Sequence, residues 1–316
     1  MYNNNNNNHV PKNYDFVPFP VSVNNRFVTS LSQRRGNNSG YAVIEITAVD
    51  NLFLGSGFCS FGGSSAGIIS ETQNFIPGAS LKGAVRQVAR AASEACIPQD
   101  KIEIPKFDNK GNRIFGKPDN GAPLLTVKQS RKCFVKPDEN GNVSICIVCD
   151  MFGAMSLGSK VRFTDFTAEE CDTGLIRVPQ QFSPHTDSGE YWYPNENKAL
   201  YKGYKFYYTD CEERNLPANK TISAVKRNTV FKGKVYFNNL FDEQLELLLY
   251  SLGAGQNISL KLGAFKADGF GTVKTKCTEL IVNGESREAS AIAKKYASDN
   301  SGYLDKLEEI LAYRER

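Results

Sequence analysis

Histidine is nearly missing from this 316-residue sequence, with only His9 and His185 present. The first stands beside an asparagine run and the second in an irregular stretch, so chemistry that uses histidine as a general base has little to work with. No run of about 18 apolar residues occurs, which excludes a helical membrane span. The opening MYNNNNNNHV lacks the basic start and apolar stretch of a signal peptide, and the chain is expected to be cytoplasmic. A strong charge of either sign is also lacking: 38 basic against 34 acidic residues leave +4, too little to argue for a nucleic-acid partner by itself. Acidic residues are absent from Gly55 to Ser70, where only serines offer oxygen ligands, and serines cannot hold a divalent cation as a carboxylate can.

What remains is ordinary globular material. Hydrophobic residues make up 41%, charged residues 23%, and 26 Gly with 13 Pro imply many turns. The length suits one elaborated domain or two small ones. In a reducing compartment eight cysteines are unsuited to disulfides, so clustered ones are candidate metal ligands.

Along the chain, residues 1–12 have nothing to bury and read as a disordered tail. Tyr41 to Leu54 alternates apolar and polar residues as a half-buried strand does. A glycine and serine loop leads to the turn Phe75-Ile76-Pro77-Gly78, and a helix is predicted from Ser80, as N-cap, to about Cys96. Leu81, Val85, Val88 and Ala92 give it a core face, and Lys82, Arg86 and Arg90 a basic one. Residues 97–153 form an irregular insertion with three cysteines, and 154–168 resume a strand. Residues 169–227 form a second insertion, in which KALYKGYKFYYTD reads as one arm of a projecting hairpin. Order returns over 228–285 with strand Thr229 to Phe237, helix Asp242 to Leu252, strand Ile258 to Leu262 and strand Thr272 to Val282. One C-terminal helix is predicted within 286–316. Strand, helix, strand, strand, helix, strand is the order of a ferredoxin-like or RRM-like α+β fold, an antiparallel sheet with its helices on one face.

Cys133, Cys146 and Cys149 are spaced C-x12-C-x2-C, and tetrahedral zinc needs such a knuckle plus distant ligands, because one tight turn can aim only two thiolates. Cys96 is the natural fourth ligand and His185 the fallback. Four thiolates leave no open position for water, so this zinc would be structural. The competing reading is a set of reduced cysteines packed as small hydrophobes. Cys59, Cys171, Cys211 and Cys277 lack metal spacing. The glycine turn before Ser80 and Lys82 could offer helix N-terminal N–H groups to a phosphate. So could the glycine-rich loop Leu262 to Gly271, unless it is only a permissive hairpin.

IPGASLKGAVR, then CIVCDMFG followed by KVRFTDF, then FKGKVYFNN, then LGAFKADGFGTV, in this order between residues 41 and 282, resemble the RAMP superfamily of CRISPR proteins. The knuckle before Phe152-Gly153 and the opening Tyr14 to Pro18 resemble backbone subunits of type III-D and type VII systems. The resemblance implies an RRM-like palm with a thumb hairpin, and copies of the chain stacked along a guide CRISPR RNA so that target RNA pairs in short segments. Further partners would be other effector subunits, including a separate nuclease. Carried onto this chain, guide contacts would be Ser80, Lys82 and Arg86, Lys160 and Arg162, and Lys266 with Gly269 and Phe270; Lys226 and Arg227 are suggested by charge. Tyr201, Tyr204 and Lys205 could wedge against bases or only pack the hairpin. Cutting members carry an aspartate in the loop between first strand and first helix. Its absence here implies a subunit that binds without cleaving, leaving Asp50 and Glu71 as outside candidates and Asp165 as a holder of backbone N–H. A metal-dependent target-cutting subunit, a guide-precursor endoribonuclease and a zinc-stapled protein without RNA are the other readings.

Overall fold

Alternation from Ala42 to Ala48 sends Ala42, Ile44, Ile46 and Ala48 into the interior, each at most 1% exposed. The strand that results, β1, spans Asn38–Ala48. It stops short of Leu54 because the N–H groups of Val49 and Asp50 turn to the Thr272 carbonyl. A computed structural model describes residues 13–20, 27–30, 34–59, 65–67, 75–97, 106–107, 113–114, 133, 137, 139–179, 191–195, 198–201, 203–209, 218–255 and 257–312. The asparagine tail, Glu71 and His185 lie outside the described residues.

After β1 come helix α1 (Gly78–Ala91), strand β2 in two pieces (Val161–Phe163 and Phe166–Thr167), strand β3 (Val230–Leu240), helix α2 (Asp242–Ser251) and strand β4 (Thr272–Val282). Their order across the sheet is β4, β1, β3, β2, with every pair antiparallel. Two βαβ units interleaved in this way are the ferredoxin-like arrangement, so the fold is α+β. Leu260–Lys261 extends the sheet beside β4, and Phe75–Ile76 beside β2. Leu81, Val85 and Val88 of α1, with Leu245, Leu248 and Leu249 of α2, pack on the same side in one core. Gly233 on β3 is required there, because a Cβ would stand 2.7 Å from the Phe166 ring.

Several expectations are corrected. Ser80 is not the N-cap of α1; Pro77 is, without a side-chain cap. Instead the Gly78 N–H donates to Asp165 Oδ1 at 2.8 Å, which places a carboxylate at the positive end of the helix. The helix ends at Ala91 rather than near Cys96. The expected hairpin arm is divided: Lys198–Tyr201 pairs with Tyr191–Asn195, whereas Gly203–Tyr207 pairs with Tyr14–Pro18. Gly203 makes that turn of partner possible, since a Cβ there would lie 2.2 Å from the Val17 carbonyl oxygen. Thr173–Pro179 pairs with Ala218–Val225 at the base of the same excursion. The single C-terminal helix is two, α3 (Ala289–Asp299) and α4 (Ser301–Leu311), broken where the Asn300 side chain donates to the Tyr296 carbonyl. Among the described residues no helix is long and apolar enough to cross a membrane.

The cysteine-bearing segment is anchored to this core by a short helix, Ile147–Phe152, whose residues are all buried. Its Asp150 is fully enclosed and meets two cations: Arg34 Nε at 2.5 Å and Lys160 Nζ at 2.6 Å. Gln244 Nε2, from α2, donates to the same carboxylate at 2.6 Å, and Arg34 also donates to the Asp150 carbonyl. A buried charge held this way joins four separate stretches of chain. Replacing Asp150 by alanine would leave two cations without their counter-charge, a change expected to cost about 3–5 kcal/mol. Urea unfolding of Asp150→Ala tests this; a loss below about 1 kcal/mol would mean that the ions find other partners.

Candidate metal centre and nucleic-acid interface

Cys146 directly follows the strand Asn142–Ile145 and caps the short helix, its Sγ accepting from the Cys149 N–H at 3.4 Å. The C-x2-C spacing therefore aims both thiols to one side. The Cys146 N–H donates in turn to Cys133 Sγ at 3.1 Å. Cys96, past the end of α1, completes the group, with its Sγ 3.4 Å from that of Cys149. All four sulfurs lie within 4.8 Å of one another. A tetrahedral ion with metal–sulfur bonds of about 2.3 Å would separate its ligands by about 3.8 Å, so the set is compatible with a structural metal such as zinc. Hydrogen bonding to Cys146, Cys149 and Cys96, then burial, pushes the Cys133 thiol up.

The charge around the sulfurs supports this reading. Arg86 points its Nη2 at Cys149 Sγ from 4.0 Å while donating to the Gly153 carbonyl at 2.8 Å. A guanidinium here offsets part of the negative charge that four thiolates would carry with a divalent ion. Lys82 is likewise engaged, donating to Ser159 Oγ and the Val161 carbonyl. Lys160 is tied to Asp150 and lies 4.9 Å from the Phe241 ring centroid. Burial, ahead of the Asp150 contact, holds its pKa below the usual lysine value. Three of the expected guide contacts thus brace the metal region from inside.

The glycine loop differs from expectation in the same way. Its N–H groups donate within the loop and to adjoining chain: Ala264 to the Phe53 carbonyl, Gly271 to that of Asn51, and Asp268 and Phe270 to that of Phe265. Gly263 and Gly271, at φ near +75° and +83°, allow this close approach, since a Cβ on either would lie 2.0 Å from a carbonyl oxygen. Phe270 is buried and packs at a tilt against Phe265, and Gly269 closes a 3-10 turn, Lys266–Asp268.

What the loop does offer is Lys266, which lines a cavity of about 400 Å³ between α1, Gly203–Tyr207 and Leu260–Lys261. Arg90, Lys205, Lys261 and Lys266 all border it, and among the described residues no carboxylate does. Arg90 Nε and the Tyr204 hydroxyl are buried without a hydrogen-bond partner in the described structure. Leaving such groups unsatisfied costs about 1–3 kcal/mol each, so a polar partner beside them would be stabilising. Burial, and then the Lys261 ammonium, depresses the Lys266 pKa, so an anion bound here would favour its charged form. Of the two readings open for Tyr204, the structure shows packing: it is 6% exposed and packs edge-on against Phe19. Lys205 lies 3.8 Å from the Tyr14 ring centroid. The Tyr201 side chain is outside the described residues.

Outside the cavity, Lys226 pairs with Asp172 at 2.9 Å, and Arg227 approaches Asp50 at 3.8 Å. Arg162 is exposed on β2. Asp50 is buried at 1% with Lys261 also 3.8 Å away, and Asp165 serves as the helix anchor described above. Sequence reasoning placed Arg90 on a basic helix face but missed Lys261 and Arg34, because each acquires its role only through contact with a distant segment.

The family model described as the RAMP superfamily matches residues 45–274, well over half of the chain. No curated protein matches it.

Elemental analysis of protein purified in metal-free buffer is expected to find one divalent ion per chain. Cys149→Ser should lower that to near zero and depress the melting temperature, while Cys277→Ser leaves it unchanged. Because the thiols must lose protons to bind, the ion should be released as pH falls rather than as it rises. Full occupancy in Cys149→Ser would show that the ion is held elsewhere.

Proposed function

The chain belongs to the RAMP superfamily, and from that membership, which suggests a CRISPR-associated RNA-binding subunit, we propose that it holds a guide CRISPR RNA as a backbone subunit of a multisubunit effector complex. The observation that carries the reading is the basic cavity. Four cationic side chains border it, of which Lys261 is already held by the Phe270 carbonyl and approached by Asp50, and with two buried polar groups that lack described partners they suit phosphate oxygens. Arg90 is suited to this, since its planar guanidinium can grip two oxygens at once. Further copies of the chain would stack along the guide, with target RNA paired against it and other subunits, including a nuclease, completing the complex.

The metal in this reading is zinc and its part is structural. Cys96, Cys133, Cys146 and Cys149 would hold it as four thiolates, stabilising the insertion by joining Cys133 to α1 and the short helix. In small zinc-binding peptides such sites supply ~10–16 kcal/mol of binding energy that is also folding energy.

The proposed subunit does not cut its target. Supporting this, Gly55 to Ser70 contains no carboxylate, and the nearby acids have structural tasks: Asp165 anchors α1, and Asp50 lies buried between Arg227 and Lys261. Two histidines give equally little support to guide processing by a histidine base. The excursion based on Thr173–Pro179 and Ala218–Val225 fits the thumb of such a subunit.

Co-expression with a repeat-containing CRISPR RNA and neighbouring effector subunits, followed by sizing and sequencing of retained RNA, tests the reading. Discrete guide RNA in a large assembly that binds target without cutting it in magnesium is expected. Arg90→Ala and Lys266→Ala should each weaken RNA binding about tenfold and reduce the salt dependence by about one ion. Regularly spaced target cleavage that is lost in Asp50→Asn would make this chain the nuclease. A lone protein free of RNA would instead favour a zinc-stapled interaction role.

A further inference from the structure

The alternation that buries Ile44, Ile46, Phe231 and Val235 against the helices places their neighbours on the opposite face of the sheet. That face brings together residues from three adjacent strands. Tyr41 on β1 stands directly across from Tyr236 on β3, and Tyr236 stands across from Arg162 on β2. The two tyrosine rings lie 6.1 Å apart at a tilt of 52°, and Tyr236 is 42% exposed. Lys234 Nζ sits 4.8 Å from the Tyr41 ring centroid. Arg162, Lys232 and Lys234 are exposed around the pair. The acids of the same patch are already engaged: Glu45 pairs with Lys232, and Glu279 accepts from the Tyr41 hydroxyl.

Among the described residues the apolar side chains beside them are few: Val43, across from Lys234, and Ile281, across from Tyr41, are half-buried. Val230 is the large hydrophobic on this side of β3 with notable exposure, at 39%. An open pair of aromatic rings in a cationic surround instead matches unpaired nucleotides, whose bases stack on rings and whose phosphates meet the cations. Position adds to the match. Aromatic side chains on the two central strands of a four-stranded antiparallel sheet are where a single strand can lie flat, its bases reaching successive rings. The geometry points to a second RNA-contacting surface: the open face of the sheet stacks one or two unpaired bases of single-stranded RNA on Tyr41 and Tyr236, with Arg162 and Lys234 on the flanking phosphates. This rests on the RNA-binding function proposed above and adds to the cavity a surface on the opposite side of the sheet from the helices.

The test is fluorescence anisotropy of the full chain with a labelled oligouridine, which cannot form a duplex with itself. Tyr41→Ala and Tyr236→Ala should each weaken binding at least about fivefold, and Tyr236→Phe should recover it, since stacking needs the ring and not the hydroxyl. Salt dependence should be unchanged in the tyrosine variants, and reduced by about one ion in Arg162→Ala or Lys234→Ala. Thermal unfolding of each variant separates a lost contact from a lost fold, and Tyr236→Phe does so within one position. If both alanine variants bind like the parent chain while Arg90→Ala does not, the sheet face is not a platform although the cavity still holds RNA. If they bind like the parent but form smaller assemblies, the face is a docking surface between protein subunits and the inference is wrong. If the parent chain binds no RNA at all, the functional reading falls together with this one.

Discussion

A carboxylate with almost no exposed surface must be neutralised by its surroundings, and Asp150 meets that requirement with contacts from three other parts of the chain. Arg34 comes from the segment before β1, Lys160 from the approach to β2 and Gln244 from the first turn of α2. Removing such a charge from water is costly, and the cost is offset only while every partner stays in place. The arrangement therefore acts as a geometric constraint: the short helix carrying Asp150 has one position against the sheet. Cys146 and Cys149 share that helix, so the same constraint orients two of the four sulfurs.

The sulfur cluster and the charged hub support each other through α1. Cys96 follows the end of that helix, and Arg86 on its side reaches both Cys149 Sγ and the Gly153 carbonyl. At the other end of α1, Asp165 receives the Gly78 N–H, an internal anion in the place where a phosphate could otherwise bind. The helix that a basic stripe suggested as an RNA contact is mostly a strut between the metal region and the sheet. Of its three stripe cations, Arg90, one turn beyond Arg86, is the one that lines the cavity, together with Ala84, Gln87 and Val88.

The two surfaces proposed to meet RNA differ in physical character. The cavity is enclosed and cationic, with buried polar atoms that lack partners, which favours phosphate oxygens over bases. The open sheet face carries two neighbouring tyrosine rings with exposed cations around them, which favours bases with their flanking phosphates. A strand that used both would be held by its backbone on one side of the sheet and by its bases on the other.

Much of the fold was legible in the sequence because it depends on local periodicity. The alternation in β1 and β3, the three-and-four spacing in α1 and the strand at 272–282 each follow from which side chains must leave water. The four-cysteine grouping was legible too, since tetrahedral ligation demands a tight pair and distant ligands. Charge was not legible in this way. Lys82 and Arg86 belong to a basic stripe in sequence and Lys160 was expected at the guide from the family resemblance, yet a lysine or arginine can bind a phosphate outside or a carbonyl and carboxylate inside, and local spacing is the same for both. Likewise Tyr204 and Tyr236 both stand in strands rich in tyrosine and lysine, but pairing with Tyr14–Pro18 leaves the first buried, while the antiparallel register of β3 leaves the second in the open. Sequence alone determined the α+β order of the main elements and the candidate sulfur group, because those depend on near neighbours and on the chemistry of the thiolate. Only the tertiary structure decided which cations and rings face solvent, because that depends on contacts between residues far apart in the chain.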